Sequence, residues 1–215
     1  MFDLNNVAIQ SYSFGGGKRT TQYVIEQAQS LGLKRVEFCD PHLKMQDPDL
    51  RRKNIDLIQS SGLEVVSIGV NKLSHDAGQV TAMFETAQAL GAKLMSVSFH
   101  PQGMWEAFRL AEQCADQFDI NLAIHNHGGW DWLGNRTILD YIFENTSPRL
   151  GLCLDTAWAL DALGLPQDWV EHFAARLRSL HLKDLHYAEN QRKPVDNALG
   201  EGQIGHPRRS LGEID

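Results

Sequence analysis

The stretch SLGLKRVEF (30–38) joins the end of a helical pattern to an apolar, β-branched run, and the fold follows from its recurrence. SSGLEVVSI (60–68) and ALGAKLMSV (89–97) repeat the same order of residue types, each with a glycine at the turn. A glycine just past a helix end adopts the left-handed conformation without a steric penalty. The step recurs without the glycine near residues 120, 149 and 177, so successive strands begin roughly 30 residues apart, the length of a strand–helix unit.

This spacing predicts seven strands that alternate with helices. We place the strands at 6–12, 34–39, 63–70, 93–99, 120–126, 149–155 and 177–183. We place the helices between them at 20–31, 49–61, 77–90, 103–118, 136–145 and 166–176. Because a helical crossover returns the chain to the same edge, consecutive strands run parallel. Two architectures fit this order, an open doubly wound sheet and a closed eight-stranded barrel.

The alternation of side chains along the strands favours the barrel. In 149–155, leucines alternate with Gly151, Cys153 and Asp155, so one face is bulky and the other is small or polar. A doubly wound sheet is covered by helices on both faces, so its strands are apolar on both. We therefore predict an α/β fold, a (β/α)8 TIM-type barrel truncated after strand 7, with the eighth strand and helix missing. It forms a single domain over 1–215, with a polar tail at 185–215.

Composition excludes several classes of protein. The 215 residues are 42% hydrophobic and carry a net charge of −7, which argues against a nucleic-acid partner. No apolar run approaches ~20 residues, so we expect no membrane span. The start, MFDLNNVAIQ, lacks the basic and apolar regions of a secretory signal. The three scattered cysteines form neither a disulfide framework nor a clustered zinc site. We expect a cytoplasmic protein.

Metal-ligating side chains follow several of the predicted strands. Strands four to seven end near His100, His125 with His127, Asp155, and His181. In a barrel of this kind the chemistry lies at the carboxyl ends of the strands. Imidazole nitrogen and carboxylate oxygen are suitable ligands for a divalent ion. The sequence thus predicts a divalent metal cofactor, which could be Mn²⁺, Zn²⁺, Co²⁺, Fe²⁺ or Mg²⁺.

The order of short motifs at these strand ends resembles a known superfamily. The motifs are FHPQG (99–103), LAIHNHGG (122–129), GLCLDT (151–156), LHLKD (180–184) and LGEGQI (199–204). Together they are similar to the xylose-isomerase-like TIM barrels, which include sugar isomerases and epimerases, inosose dehydratases and apurinic endonucleases of the endonuclease IV type. The resemblance covers nearly the whole chain and implies both the fold and metal dependence.

The resemblance also implies roles for individual residues. The family's aspartate ligand after strand 6 falls on Asp155, and its histidine ligand on strand 7 falls on His181. Its strand 5 glutamate ligand is replaced by His125, and its strand 8 glutamate has no counterpart. His100 matches a histidine that lines the substrate pocket in the sugar branch and binds a second metal in the endonuclease branch. Trp158 stands where the endonucleases have another histidine.

Other residues at the mouth of the barrel have two interpretations each. Glu37 is the candidate catalytic acid or base, and the alternative is an ion pair with a neighbour such as Lys183. Trp130 and Trp132 could stack on a sugar ring or pack over the lumen. His127 is a reserve metal ligand. The predicted substrate-binding residues are His100, His127, Trp130 and Lys183. The histidines predicted to lie at the surface are His42, His75, His172, His186 and His206.

Three functions are compatible with these residues. The first is a metal-dependent isomerase, epimerase or dehydratase that moves a proton next to the carbonyl of a small sugar or polyol-derived ketone. The second is a degenerate or truncated barrel that binds a ligand or partner without catalysis, because both family glutamates are absent. The third, an apurinic endonuclease, is opposed by the −7 charge and by Trp158. Unpaired edges at strands 1 and 7 further predict a homo-oligomer, most simply a dimer.

Overall fold

The computed structural model describes residues 7–15, 18–128 and 131–183. Within these ranges the strands form one parallel, seven-stranded sheet in which the strand order follows the sequence. The strands are β1 Ile9–Gln10, β2 Arg35–Phe38, β3 Glu64–Leu73, β4 Leu94–Phe99, β5 Asn121–His125, β6 Leu150–Asp155 and β7 Leu177–His181. The helices are α1 Thr21–Ser30, α2 Asp40–Leu43, α3 Pro48–Ser60, α4 Ala77–Ala89, α5 Met104–Phe118, α6 Arg136–Glu144, α7 Thr156–Asp161 and α8 Pro166–His172.

The glycine turns that define the sequence repeat end their helices as predicted. Gly32, Gly62 and Gly91 have φ values of 70°, 76° and 74°, in the left-handed region. After α4, the N–H of Ala92 donates to the carbonyl of Ala87 at 2.9 Å, a bond that closes the last turn of the helix. Each of these glycines therefore directs the chain from a helix into the next strand.

Contacts across the sheet interior show that the sheet curls into a barrel wall. Glu37 of β2 hydrogen-bonds Ser96 of β4 and His181 of β7. In a flat sheet, β2 and β7 would lie five strand spacings apart, or roughly 24 Å. Direct contact between their side chains requires curvature, which confirms the barrel and excludes the open doubly wound sheet. Large apolar side chains between the sheet and the helices form the core; the largest fully buried ones include Phe38, Phe84 and Phe108.

The chain departs from the predicted elements in several places. β1 ends at Gln10, and Ser11–Phe14 forms a 3-10 turn where the prediction continued the strand to residue 12. The Gln10 side chain accepts a hydrogen bond from the N–H of Tyr12 at 2.7 Å, which starts this turn. β3 extends to Leu73, α8 ends at His172, and the short helices α2 and α7 were not predicted.

The prediction of a surface position for His42 is wrong. Its side chain is fully buried in α2, with Nδ1 at 3.2 Å from Cys39 Sγ and 3.0 Å from Ser11 Oγ. Thr21 Oγ1 also donates to the carbonyl of His42 at 2.5 Å. This polar cluster joins the 3-10 turn, the end of β2 and α1. His75 and His172 are exposed, whereas His186 and His206 lie outside the described residues.

Arg176 holds the amino end of the last strand against its neighbours. Its guanidinium donates to the carbonyls of Phe143, Thr146, Ser147 and Leu150, at 2.6 Å for Ser147 and 2.9 Å for Leu150. The first three carbonyls lie at and beyond the end of α6, where a helix has no further N–H groups to offer. A single charged side chain thus joins the end of α6, the start of β6 and the start of β7.

We expect Arg176→Met to lower the free energy of unfolding by about 2 kcal/mol, because several half-buried carbonyls lose a charged donor. Urea denaturation followed by circular dichroism measures the change. Arg109→Met is the matched control, since Arg109 makes an exposed pair with Glu106 at 3.1 Å and its loss should cost under about 0.5 kcal/mol. Equal stability of the two variants would contradict this role for Arg176.

The two outer strands of the sheet are β1 and β7, and no pairing joins them in the part of the chain that the structure describes. Leu180 and Leu182 at this edge are 44% and 70% exposed. None of the helices in the described ranges is long and apolar enough to cross a membrane. The predicted polar tail, 185–215, lies outside the described residues.

We expect the chain to form a dimer through the edge at β7, because an edge that has no partner strand within the described ranges and that carries exposed leucines favours association. Light scattering after size-exclusion chromatography should give twice the 24.1 kDa chain mass. Leu182→Lys should shift the protein toward the monomer, whereas Leu31→Lys, at an equally exposed leucine after α1, should not. A wild-type monomer at micromolar concentration would refute this expectation.

Candidate functional site

Three neighbouring strands each end in a side chain that can ligate a metal. His125 ends β5, Asp155 ends β6 and His181 ends β7, and Asp155 is the register partner of His181. One potential ligand atom from each residue lies within 4.8 Å of the other two. His125 and Asp155 are buried, and His181 is partly buried. The structure therefore brings together the three residues that the sequence predicted as metal ligands.

The two carboxylate oxygens of Asp155 have different surroundings. Oδ1 accepts a hydrogen bond from the N–H of Trp158 at 2.9 Å and caps the amino end of α7. Oδ2 lies 3.4 Å from His125 Nε2 and 3.5 Å from Lys183 Nζ. Burial raises the pKa of Asp155, but the hydrogen bond to His125 and the charge of Lys183 lower it below its usual value. Oδ2 is thus the oxygen available to a cation, and the carboxylate is ionised at neutral pH.

Asn126 fixes the backbone of Asp155, and the sequence analysis did not identify it. Its Oδ1 accepts from the N–H of Asp155 at 2.7 Å, and its Nδ2 donates to the carbonyl of Asp155 at 3.2 Å. Asn126 is fully buried and lies between His125 and His127 in the sequence. Its position directly after a proposed ligand at the end of β5 is the sequence feature from which a role in the site could have been predicted.

His125 has the properties of a neutral ligand. Burial lowers its pKa to about 4, although the hydrogen bond to Asp155 opposes that shift. The ring is therefore uncharged at neutral pH, as a metal ligand must be. Its Nδ1 is buried and makes no hydrogen bond to any residue that the structure describes. The other ring nitrogen, Nε2, lies 3.4 Å from Asp155 Oδ2 and so faces the neighbouring proposed ligand.

Glu37 and His181 form a buried pair at the centre of the site. His181 Nε2 lies 2.8 Å from Glu37 Oε2, and Ser96 Oγ donates to Glu37 Oε1 at 2.5 Å. Burial raises the pKa of Glu37, but His181 and Ser96 together lower it. Burial lowers the pKa of His181, but hydrogen bonds to Cys153 and Glu37 raise it above its usual range. The ion pair considered between Glu37 and Lys183 is not formed; His181 is the partner instead.

The donor set at the mouth fits a divalent ion. Two imidazoles and one carboxylate, supplied by adjacent strands, leave positions for water or substrate, as in catalytic sites. The approach of His125 Nε2 to Asp155 Oδ2 and the grouping of one ligand atom from each residue within 4.8 Å support this fit. Such a set suits Mn²⁺, Zn²⁺, Co²⁺ or Fe²⁺. His181 can join it once its ring is neutral.

The predicted substrate-binding residues are placed differently from one another. His127 lies beside the site, with its ring centroid 4.6 Å from that of His125 and 5.5 Å from that of Trp158. Lys183 reaches Asp155, whereas His100 is exposed just beyond the end of β4. Trp130 lies outside the described residues.

Trp132 packs over the barrel. It is partly buried against the core, and its Nε1 donates to the carbonyl of Phe99 at 3.1 Å. Of the two interpretations of this tryptophan, the structure supports the packing role.

The chain matches the family described as xylose isomerase-like TIM barrels over residues 25–209. The chain belongs to this family. Membership accounts for the parallel barrel wall, with helices between the strands, and confirms the resemblance carried by the strand-end motifs. Family members share this architecture, so the carboxyl ends of the strands are the expected place for a site.

A curated relative is the 3-oxo-isoapionate decarboxylase of Pectobacterium atrosepticum. The alignment with it has 26% identity over 181 positions and covers 78% of this chain and 62% of the relative. The chain therefore spans less than two thirds of the length of the curated relative that it matches.

Solved structures show the same fold at low sequence identity. A sugar phosphate isomerase/epimerase from Parabacteroides distasonis is 16% identical, with a TM-score of 0.63 over 87% of this chain and 78% of that one. The probable 3-DHS dehydratase AsbF from Bacillus anthracis is 14% identical, with a TM-score of 0.66 over 85% and 74%. A xylose isomerase-like TIM barrel protein from Mycobacterium smegmatis, solved in complex with magnesium, is 12% identical, with a TM-score of 0.65 over 87% and 79%.

We expect Asp155→Asn to weaken Mn²⁺ binding by at least about 100-fold, because the site loses its ligating charge while keeping its shape. Asparagine also caps helices well, so the free energy of unfolding should change by less than about 1 kcal/mol. Isothermal titration calorimetry measures the first quantity and urea denaturation the second. Asp168→Asn, at an exposed position in the first turn of α8, is the control. Unchanged Mn²⁺ affinity in Asp155→Asn would remove Asp155 from the ligand set.

Proposed function

We propose that this protein is a metal-dependent enzyme that moves a proton next to the carbonyl of a small sugar or polyol-derived ketone, as an isomerase, epimerase or dehydratase. The single observation behind this proposal is the convergence of His125, Asp155 and His181 within 4.8 Å at the carboxyl ends of three adjacent strands. A buried carboxylate, Glu37, stands next to them.

Removing a proton next to a carbonyl places negative charge on the carbonyl oxygen. When bound by His125, Asp155 and His181, a divalent ion supplies the positive charge that stabilises the resulting enediolate. Burial of the site excludes water, and this strengthens electrostatic stabilisation of the developing charge. Asn126 and the cap of α7 hold Asp155 in one orientation, so the ligand set is arranged before substrate binds.

Glu37 is the group proposed to accept the substrate proton. In the ion-free site His181 and Ser96 hold the pKa of Glu37 below its usual value, so the side chain is the carboxylate that a base requires. A divalent ion beside it would favour the same charged form, and Ser96 fixes one of its oxygens. The other oxygen faces His181, one of the three proposed ligands, so Glu37 lies at the edge of the ion site. A base in this position would lie within reach of a substrate held beside His181.

One feature favours decarboxylation as a second candidate function. Both oxygens of Glu37 are engaged in hydrogen bonds, and a bond to CO2 breaks without a general base. In that reaction the electron pair of the broken bond moves to the neighbouring carbonyl, so the same stabilisation of negative charge applies. The curated relative is named a 3-oxo-isoapionate decarboxylase, and this supports the candidate.

Proton exchange measured by NMR tests the proposal directly. Protein loaded with Mn²⁺ is incubated with a panel of ketoses and inososes in D2O, the Mn²⁺ is removed by chelation, and deuterium at the carbon next to the carbonyl is quantified. Metal-dependent exchange is the expected result. Release of CO2 from 3-oxo acids without such exchange would favour decarboxylation. Binding of these ligands without either reaction would contradict the proposed activity and would favour a degenerate barrel that binds a ligand without catalysis.

We expect Glu37→Gln to reduce the exchange rate by at least about 100-fold, because the amide cannot accept the proton. The Mn²⁺ affinity should fall by no more than about 10–100-fold, because Glu37 hydrogen-bonds the proposed ligand His181 but does not itself ligate the ion. The exchange rate is therefore measured at saturating Mn²⁺. The control is Glu85→Gln, at an exposed position on α4, which should leave both quantities unchanged. Undiminished exchange in Glu37→Gln would exclude Glu37 as the base.

A further inference from the structure

We propose that Lys183 binds a carboxylate of the substrate, so that the ketone of the proposed reaction is carried by a small polyhydroxylated acid, for which neutral ketoses and inososes are poorer analogues. This inference rests on the proposed function, because it assumes that a divalent ion occupies the site made by His125, Asp155 and His181. It adds the chemical class of the substrate and the residue that selects it.

The backbone of Lys183 is held in place from the site itself. Thr156, which directly follows Asp155, accepts a hydrogen bond from the N–H of Lys183 at 2.9 Å. The same hydroxyl donates to the carbonyl of Lys183 at 2.6 Å. One side chain therefore fixes the residue just beyond the end of β7, and it does so from the position next to a proposed ligand.

The side chain of Lys183 points into the mouth of the barrel. Its Nζ lies 3.5 Å from Asp155 Oδ2 and 4.5 Å from the centroid of the Trp158 ring. Only 26% of the side chain is exposed. The aromatic ring supports the ammonium group from one side, which limits its freedom to turn away from the site.

Charge balance indicates what Lys183 contacts in the loaded protein. Among the described residues, Asp155 and Glu37 are the two carboxylates that contact or belong to the proposed ligand set. A divalent ion on His125, Asp155 and His181 would balance both of them. Asp155 Oδ2 would then ligate the ion, and the ammonium of Lys183 would lose that oxygen as its ion-pair partner. An ammonium without a counter-charge beside a divalent cation is unfavourable where water is scarce. A substrate carboxylate supplies the missing negative charge, whereas a neutral sugar does not.

A carboxylate fits this position better than a phosphate group. One ammonium supplies one positive charge, which matches the single charge of a carboxylate. Phosphate sites generally combine several donors, such as arginine forks or the N–H groups at the start of a helix. The first turn of α7 does not offer this, because the Asp155 carboxylate occupies the N–H of Trp158.

Titration calorimetry with unreactive ligands tests the inference without relying on turnover. Protein saturated with Mn²⁺ is titrated with D-gluconate, D-sorbitol and D-sorbitol 6-phosphate, and titrations of the same ligands into Mn²⁺ alone are subtracted. The variants are Lys183→Met, which keeps the length of the side chain, and Lys53→Met at an exposed position on α3. Mn²⁺ affinity is measured for every protein.

We expect the wild type and Lys53→Met to bind gluconate at least about tenfold more tightly than sorbitol. In Lys183→Met the two affinities should become equal, while Mn²⁺ binds at least as tightly as in the wild type. A preference for gluconate that persists in Lys183→Met overturns the inference. Tighter binding of sorbitol 6-phosphate than of gluconate, dependent on Lys183, overturns the choice of carboxylate. A wild type that binds no Mn²⁺ overturns the proposed function, and the inference with it.

Discussion

Parallel pairing of the strands in sequence order is the constraint on which the site depends. Because every strand runs in the same direction, every strand ends on the same side of the sheet. The register then sets the heights of the end residues, and the pairing of Asp155 with His181 brings them to one level. Curvature of the sheet adds Glu37 from β2 to residues of β4 and β7. Strand direction, register and curvature thus bring together four residues that are distant in sequence, namely Glu37, Ser96, Asp155 and His181.

Burying several ionisable groups at one level is costly unless each is compensated. Here Glu37 pairs with His181 and Ser96, while Asp155 lies between His125 and Lys183 and also caps α7. This arrangement satisfies the carboxylates in the absence of any ion. The grouping of one ligand atom each from His125, Asp155 and His181 within 4.8 Å goes beyond what pairwise ion pairs need, and it is the feature that a bound ion would use.

Local signals in the sequence were sufficient for most of the fold. The glycine turns and the 30-residue spacing predicted all seven strands, and the alternation along 149–155 separated barrel from open sheet. The end of β1 was less well predicted. The Gln10 side chain accepts a hydrogen bond from the N–H of Tyr12 and turns the chain there, and the pattern of apolar and polar residues does not indicate such a hydrogen bond. His42 was misplaced for a similar reason: its burial depends on Ser11, which lies 31 residues away.

The candidate site was also only partly predictable from the sequence. Residues at strand ends could be predicted, because the end of a strand is visible in the sequence. Their partners could not, because Glu37 and His181 are 144 residues apart and the contact depends on the curvature of the sheet. Asn126 and Thr156 act through hydrogen bonds to backbone groups, which leave no pattern in a single sequence.

Anomalous diffraction from crystals grown with Mn²⁺ shows whether His125, Asp155 and His181 hold a divalent ion. We expect one strong anomalous peak at the mouth of the barrel, about 2.0–2.3 Å from a nitrogen of His125, an oxygen of Asp155 and a nitrogen of His181. Manganese density at another place, or ordered side chains of these three residues with no peak between them, would contradict it.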